Sequence, residues 1–353
     1  MRALIVTTAG PLLLLLCCGA TSASAADDAG PLDGLLSTMR ARQEQARTFI
    51  AEWTEVPAAE DGNQGGRTIR LTIGTNGRFL LESSPNGETV VGQPGAMKSS
   101  FDGQRNRQFT AAVGEDDWPR GIMWDDTQYD ELSGAQVRVW LLHLRPFLQP
   151  RPDLGNEQLR IVQQDVAVDG PRCMIVDLPA PDDGPYVERY WIDINRACIV
   201  RAEHRSVEGD RLLSGLTVRY RQDDRLGWLP ESWESRFGDG SHTLRGRLVR
   251  HELNPELPDD TFAFNFPIGT VVFDRDRGLR HLVLADGTPR DVTPEESASG
   301  FDYSALQETS PGELAPRFDA TGEEWTPSTI TLLAVNVLLL GGGATFWCLR
   351  RGE

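Results

Sequence analysis

Polar and apolar residues alternate most clearly between Tyr186 and Asp274. Val187, Tyr190 and Ile192, then Leu216, Val218 and Tyr220, stand at strand spacing, and turn residues at Asp193–Arg196, Asp223–Gly227 and Gly238–Gly240 separate the runs. Successive side chains of a strand leave opposite faces, so period-two alternation between turns predicts half-buried antiparallel strands. At least four strands are expected here, with one face rich in large apolar groups.

The same reading extends upstream. RTIRLTIGT (67–75) and RFLLE (78–82) flank Asn76-Gly77, the strongest short hairpin signal. SSFDGQRNRQFTAA, from Ser99, turns at Asp102-Gly103, and LRIVQQDVAVDG with PRCMIVDLP turns at Asp169-Gly170. Two segments change period. Leu32, Leu35, Leu36, Met39, Ala46, Phe49, Ile50 and Trp53 fall three and four apart, which predicts an amphipathic helix of about six turns. Leu132, Val137, Trp140, Leu141, Leu144 and Phe147 predict a second helix within 118–149, ending at Pro146 or Pro150. The expected fold is therefore α+β: a curved antiparallel sheet of about ten strands, covered on one face by helices, in a domain over 31–285.

Both termini look different. Met1, Arg2, the apolar run Ala3–Leu16 and Ala23-Ser24-Ala25 predict a signal peptide over 1–25. Cys17 and Cys18 suit a lipoprotein signal less well, because Leu16 is not small. Ile330–Leu349 is 20 residues without charge, bounded by Glu323 and Glu324 before and Arg350 and Arg351 after. That length and charge bias predict a transmembrane helix over 329–349 with a cytoplasmic tail at 350–353. Such a chain is an exported, single-pass membrane protein whose main domain faces the periplasm or the cell exterior. Ten acids and two arginines between Asp286 and Ser328 make 286–328 an acidic flexible linker.

Charge and chemistry narrow the function. A net charge of −17 excludes a generally basic nucleic-acid binder. His143, His204, His242, His251 and His281 are scattered without metal-ligand spacing, so neither a metal nor a cofactor is expected. Ser241 beside His242 faces the opposite way on a strand, and the acid pairs at 116–117, 125–126, 182–183, 223–224 and 259–260 flank turns. No catalytic residue is assigned, and the chain is read as a non-enzyme. Cys173 and Cys198 fall on strands of one sheet; an exporting compartment permits a disulfide, and two small buried thiols fit equally. The surplus of apolar residues on the sheet, Phe79, Leu81, Phe101, Phe109, Trp191, Tyr220 and Phe264 among them, has two readings. In a fully closed sheet it is core; in a partly open one it lines a hollow for an acyl chain.

Several blocks resemble the periplasmic outer-membrane lipoprotein carrier family (LolA-like) and its lipoprotein-sorting and sigma-regulator relatives. They are the leading helix with Phe49 and Trp53, GRFLLES, FDGQRNRQF, YWIDINRACIVRAE, LGWLPESW and LNPELPDDTFAFNFPIGTVVFD. The last, with Asn254, Pro258, Phe262, Phe264, Pro267, Gly269 and Asp274, is the most specific. The resemblance covers about residues 32–275 and implies an open half-barrel that binds lipid or lipoprotein acyl chains, or, as in the sigma regulators, an envelope protein partner. Thr75 and Asn76 stand where carriers of that family have arginine and proline, so the family's handover mechanism is not implied.

Overall fold

The structure is a computed structural model that describes residues 30–293 and 296, apart from 59–65, 86–92, 115–116, 126–134, 149–152, 156, 181–183 and 239–241. Helix α1 (Pro31–Gln45) leads into strands β1 (Phe49–Pro57), β2 (Arg67–Ile73), β3 (Phe79–Ser84), β4 (Met97–Phe101), β5 (Arg105–Thr110) and β6 (Arg120–Asp125). After α2 (Ala135–Leu144) come β7 (Arg160–Ala167), β8 (Arg172–Pro179), β9 (Tyr186–Asp193), β10 (Cys198–Ser206), β11 (Leu212–Asp223), β12 (Gly227–Phe237) and β13 (His242–Leu253). The last strands are β14 (Val271–Asp274), β15 (Leu279–Val283) and β16 (Pro289–Val292).

All sixteen strands join one sheet in the order β16-β15-β14-β6-β5-β4-β3-β2-β1-β13-β12-β11-β10-β9-β8-β7. The sheet curves without closing into a barrel. Every ladder is antiparallel except β6–β14, a parallel pair made by the return of the chain after β13. The architecture is thus mostly β: sixteen strands against about ten expected, and two α-helices among the described residues. The extra strands are short or edge strands whose alternation is brief, and the sheet runs past residue 285 to Val292.

Two segments differ from expectation. The first helix stops at Gln45, and Phe49, Ala51 and Trp53 are buried positions of a strand instead. Over 46–56 the three-and-four spacing of Phe49, Ile50 and Trp53 overlaps a period-two pattern. Thr48, Ile50, Thr54 and Val56 are stiff at χ1 and favour the pleated surface. Within the segment expected to hold the second helix, Arg120–Asp125 is strand β6 and the helix spans Ala135–Leu144, while Leu132 lies outside the described residues. The three expected hairpin turns form: Asn76 and Gly77 both take positive φ (55° and 78°), as do Asp169 and Gly170 (47° and 111°), and Gly103 turns at 102°.

The core lies between the sheet's concave face and the two helices. Leu35, Leu36 and Met39 of α1 and Val137, Trp140 and Leu144 of α2 pack onto Phe49, Trp53, Ile69, Leu71, Val176, Ile192, Leu216 and Trp233. Arginines fix the helices. Arg42 donates to the Arg196 carbonyl (3.0 Å), Arg145 donates to the Arg47 carbonyl (2.9 Å), and Arg138 pairs with Glu188 on β9. The junction between α1 and β1 is held by Asn254, which accepts from the N–H groups of Arg47 (2.9 Å) and Thr48 (3.3 Å) and donates to the Gln45 carbonyl (2.9 Å).

The reading as a single-pass membrane protein is corrected. No helix among the described residues is long and apolar enough to cross a membrane. Residues 1–25, expected as a signal peptide, and 329–349, expected as a span, lie outside the described residues, as do the tail and most of the acidic stretch.

Candidate functional site

Four aromatic residues meet at the centre of the concave face. Phe49 and Trp53, four apart on the inward side of β1, reach Trp140 of α2 with ring centroids 5.3 and 6.0 Å away. Trp233 of β12 meets Trp53 at 5.7 Å and Trp140 at 5.9 Å, both edge to face. Gly246 on β13 makes this arrangement feasible, since a Cβ there would lie 2.1 Å from the Trp233 ring. The face is filled by the protein's own side chains. Its polarity is not matched, however: the indole N–H groups of Trp53, Trp140 and Trp233 are all buried with no acceptor among the described residues. A buried donor left unpaired costs about 1–3 kcal/mol.

A polar cluster borders the aromatic one. His143 of α2 faces Arg42 of α1 (Nδ1 to guanidinium 3.5 Å) and the ring of Tyr220 (5.4 Å). Burial, reinforced by the Arg42 charge, holds its imidazole well below the ordinary histidine range. Tyr220 donates to the Ile199 carbonyl (3.0 Å), and its burial pushes the phenol well above the usual value. Neutral histidine and neutral phenol make this a structural junction between α1, α2 and the sheet.

The residues singled out by sequence divide among three clusters. Phe79 and Phe101 are buried in the main core with centroids 6.4 Å apart, and Leu81 packs beside them. Phe109 belongs to a second cluster with Ala96 and Ala111, against which Phe264 and Phe266 pack. These last two come from the segment after Asn254, with Gly121 leaving room for Phe266. Trp191 lies in a third cluster with Cys173, Ile175 and Val200, and Tyr220 touches both this cluster and the main core. One shared hollow does not unite them.

Cys173 and Cys198 are both free and buried. Each is registered against Asp193, Cys173 from β8 and Cys198 from β10, so β9 stands between them. Two strand spacings are about 9.6 Å, beyond the roughly 7 Å across which a disulfide forms. The candidate bridge is thereby corrected to two separate thiols. Burial, with Asp193 nearby, raises the Cys173 thiol to about 11, and burial raises that of Cys198 to about 11.

Of the acids expected beside turns, Asp116, Asp126, Asp182 and Asp183 lie outside the described residues, and the others sit at turns or pair with arginine. Asp223 accepts from the N–H groups of Arg225 (3.0 Å) and Leu226 (2.8 Å) and meets His251 at 3.1 Å. Asp125 pairs with Arg105, and Asp259 and Asp260 open a short turn to Phe262. Among the described residues no three metal-ligating side chains come together.

A concavity of about 780 Å³ lies on the outer face, over β1 and β10–β13. Arginines dominate its charged lining. Sequence reasoning did not single it out, although Arg219 with Arg221 and Arg245 with Arg247 repeat at period two.

No family profile matches the sequence, and no curated protein does. Solved structures with a similar fold include three proteins. A LolA superfamily protein from Nitrosomonas europaea is 16% identical, with a TM-score of 0.44 over 66% of this chain and 99% of that one. A putative outer membrane lipoprotein-sorting protein domain from Vibrio parahaemolyticus is 15% identical, with a TM-score of 0.43 over 65% and 95%. A DUF1329 family protein from Desulfovibrio piger is 13% identical, with a TM-score of 0.45 over 66% and 97%. Two of these three are described as a LolA superfamily protein and as a lipoprotein-sorting protein domain.

Proposed function

We propose that the protein is a non-catalytic binding module that takes an acyl-bearing ligand, a lipid or a lipoprotein, against the concave face of its sheet. One observation carries this reading: three indole donors, on Trp53, Trp140 and Trp233, are gathered in an apolar layer with no acceptor among the described residues. An ester or amide carbonyl at the head of an acyl chain supplies the missing acceptor, while the chain replaces part of the contact now made by α2. Apolar burial at ~25 cal/mol per Å² then provides most of the affinity. Among the described residues α2 is ten residues long and lies on β10–β12, so entry requires it to shift outward.

The test is titration of the full chain with a dipalmitoylated lipopeptide, read by tryptophan fluorescence, alongside native mass spectrometry for co-purified lipid. Saturable change is expected, with Trp140→Phe weakening it about fivefold because one donor is gone. Absence of both co-purified lipid and a saturable fluorescence change would sink the reading.

A further inference from the structure

On the outer face the register of five strands sets up two parallel rows of side chains. In one row Arg219 of β11 neighbours Ser232 of β12, which neighbours Arg247 of β13, which neighbours Thr54 of β1. In the next, Arg201 of β10 is followed by Thr217, Glu234, Arg245 and Val56. Small residues form the floor: Gly215, Thr217, Ser232 and Thr54 keep the sheet surface low while long arginines rise around it. This relief, on a twisted sheet, makes the concavity of about 780 Å³.

The charge in the groove runs against that of the whole chain. Five arginines face three acids there, whereas the molecule carries −17. Both glutamates are already engaged. Glu234 holds Arg236 (2.6 Å) and Arg245 (3.1 Å), and Glu203 holds Arg201 and Arg205. Arg219 and Arg247, both exposed, make no ion pair among the described residues. Two such exposed guanidinium groups on either side of one serine hydroxyl make a site for an anion between or along them. A guanidinium fork suits carboxylate oxygens.

Spacing separates the candidate anions. Arg219 and Arg247 are two strands apart, about 10 Å, and Arg201 and Arg245 three apart, about 14 Å. A single phosphate can engage at most the nearer pair, whereas a run of cations of this length matches a ligand carrying several anionic groups in a row. An extended peptide is such a ligand: at about 3.4 Å per residue, side chains on one face repeat every ~7 Å, so acids at i and i+4 lie ~14 Å apart, and the long flexible arginine side chains take up the difference between ~7 Å and the ~10 Å from Arg219 to Arg247. We infer that this groove is the docking site for an extended acidic segment of a partner protein, with carboxylates on Arg219 and Arg247. It lies on the face opposite the helices, so both faces can be engaged at once. This inference stands apart from acyl binding.

The experiment uses the full chain and a fluorescein-labelled peptide of alternating glutamate and alanine, followed by fluorescence anisotropy, with a glutamine-alanine peptide as control. Saturable binding is expected for the acidic peptide alone, weakening as salt is raised. The double variant Arg219→Gln and Arg247→Gln is expected to weaken it at least about tenfold at an unchanged melting temperature, while the exposed Arg211→Gln leaves it as it was. Three results would overturn the inference: no saturable binding, equal affinity in the double variant, or displacement by millimolar inorganic phosphate as effective as by unlabelled peptide. Binding to phosphatidylglycerol vesicles that depends on the two arginines, without peptide binding, would overturn it in favour of a lipid surface.

Discussion

At the scale of single residues, His143 is the group whose charge state matters most. Its folded imidazole is held well below the ordinary value by burial and by Arg42, whereas in the unfolded chain it titrates normally near 6.5. The unfolded state therefore binds a proton that the folded state refuses, so stability is level above about pH 6.5 and falls as pH drops below it. His281 is also lowered, by burial, and acts in the same direction. The expected outcome is that denaturant unfolding of the wild type loses stability between pH 6.5 and 5, with His143 contributing up to about 1.4 kcal/mol per pH unit and the half-exposed His281 less. His143→Leu flattens that decline even though it unfolds more easily at neutral pH. An unaltered slope in the variant would show that the acid sensitivity arises elsewhere. Sequence alone named His143 as scattered and unpaired; its burial between two helices came only with the packing, because Arg42 is 101 residues away along the chain.

At the scale of elements, the turn from α1 into β1 depends on a residue from the far end of β13. Asn254 has φ 54°, and its amide satisfies three backbone groups between Gln45 and Thr48. Asn254→Ala leaves those groups unpaired and keeps the left-handed backbone without a residue that tolerates it, for an expected loss of about 2–4 kcal/mol in chemical denaturation. Asn254→Gly relieves the backbone alone and should recover about 1 kcal/mol of that loss. If alanine and glycine variants both unfold like the wild type, the side chain is not the clamp. The element also shows where periodicity misleads. Residues 46–53 satisfy helical and strand spacing together, and the sheet wins because β1 has partners on both sides, β2 and β13. The hairpin turns, by contrast, follow from their own residues: Asn-Gly and Asp-Gly accept positive φ wherever they stand.

At the scale of the whole molecule, one sheet carries two faces with different chemistry. The concave side is closed by α1, α2 and a knot of indoles; the outer side carries two small apolar clusters, and over β1 and β10–β13 it is polar and rich in arginine. Cys173 and Cys198 report on the integrity of this assembly, since both are buried and both have thiols raised to about 11. Thiolate is the reactive form. Iodoacetamide labelling at pH 8, resolved by peptide mass spectrometry, should therefore reach either thiol only with global unfolding in denaturant. Labelling of Cys198 in native buffer at the rate of an exposed thiol would mean that α1 opens independently of the sheet.

By itself the sequence determined that the chain makes a long antiparallel meander, where its tight turns fall, and that two amphipathic helices must cover an apolar face. These are local matters of period and turn chemistry. Only the tertiary structure decided that the helix stops before Phe49, that β14 lies parallel to β6, that β9 separates the two cysteines, and that Phe109, Trp191 and Phe264 leave the face on which Phe79 and Phe101 sit. The reason is physical. Strand order, register and bulges fix which face each side chain joins, and pairing partners lie up to some two hundred residues away in the chain. The row from Arg219 through Ser232 to Arg247 exists only because three strands align, which no single stretch of sequence encodes.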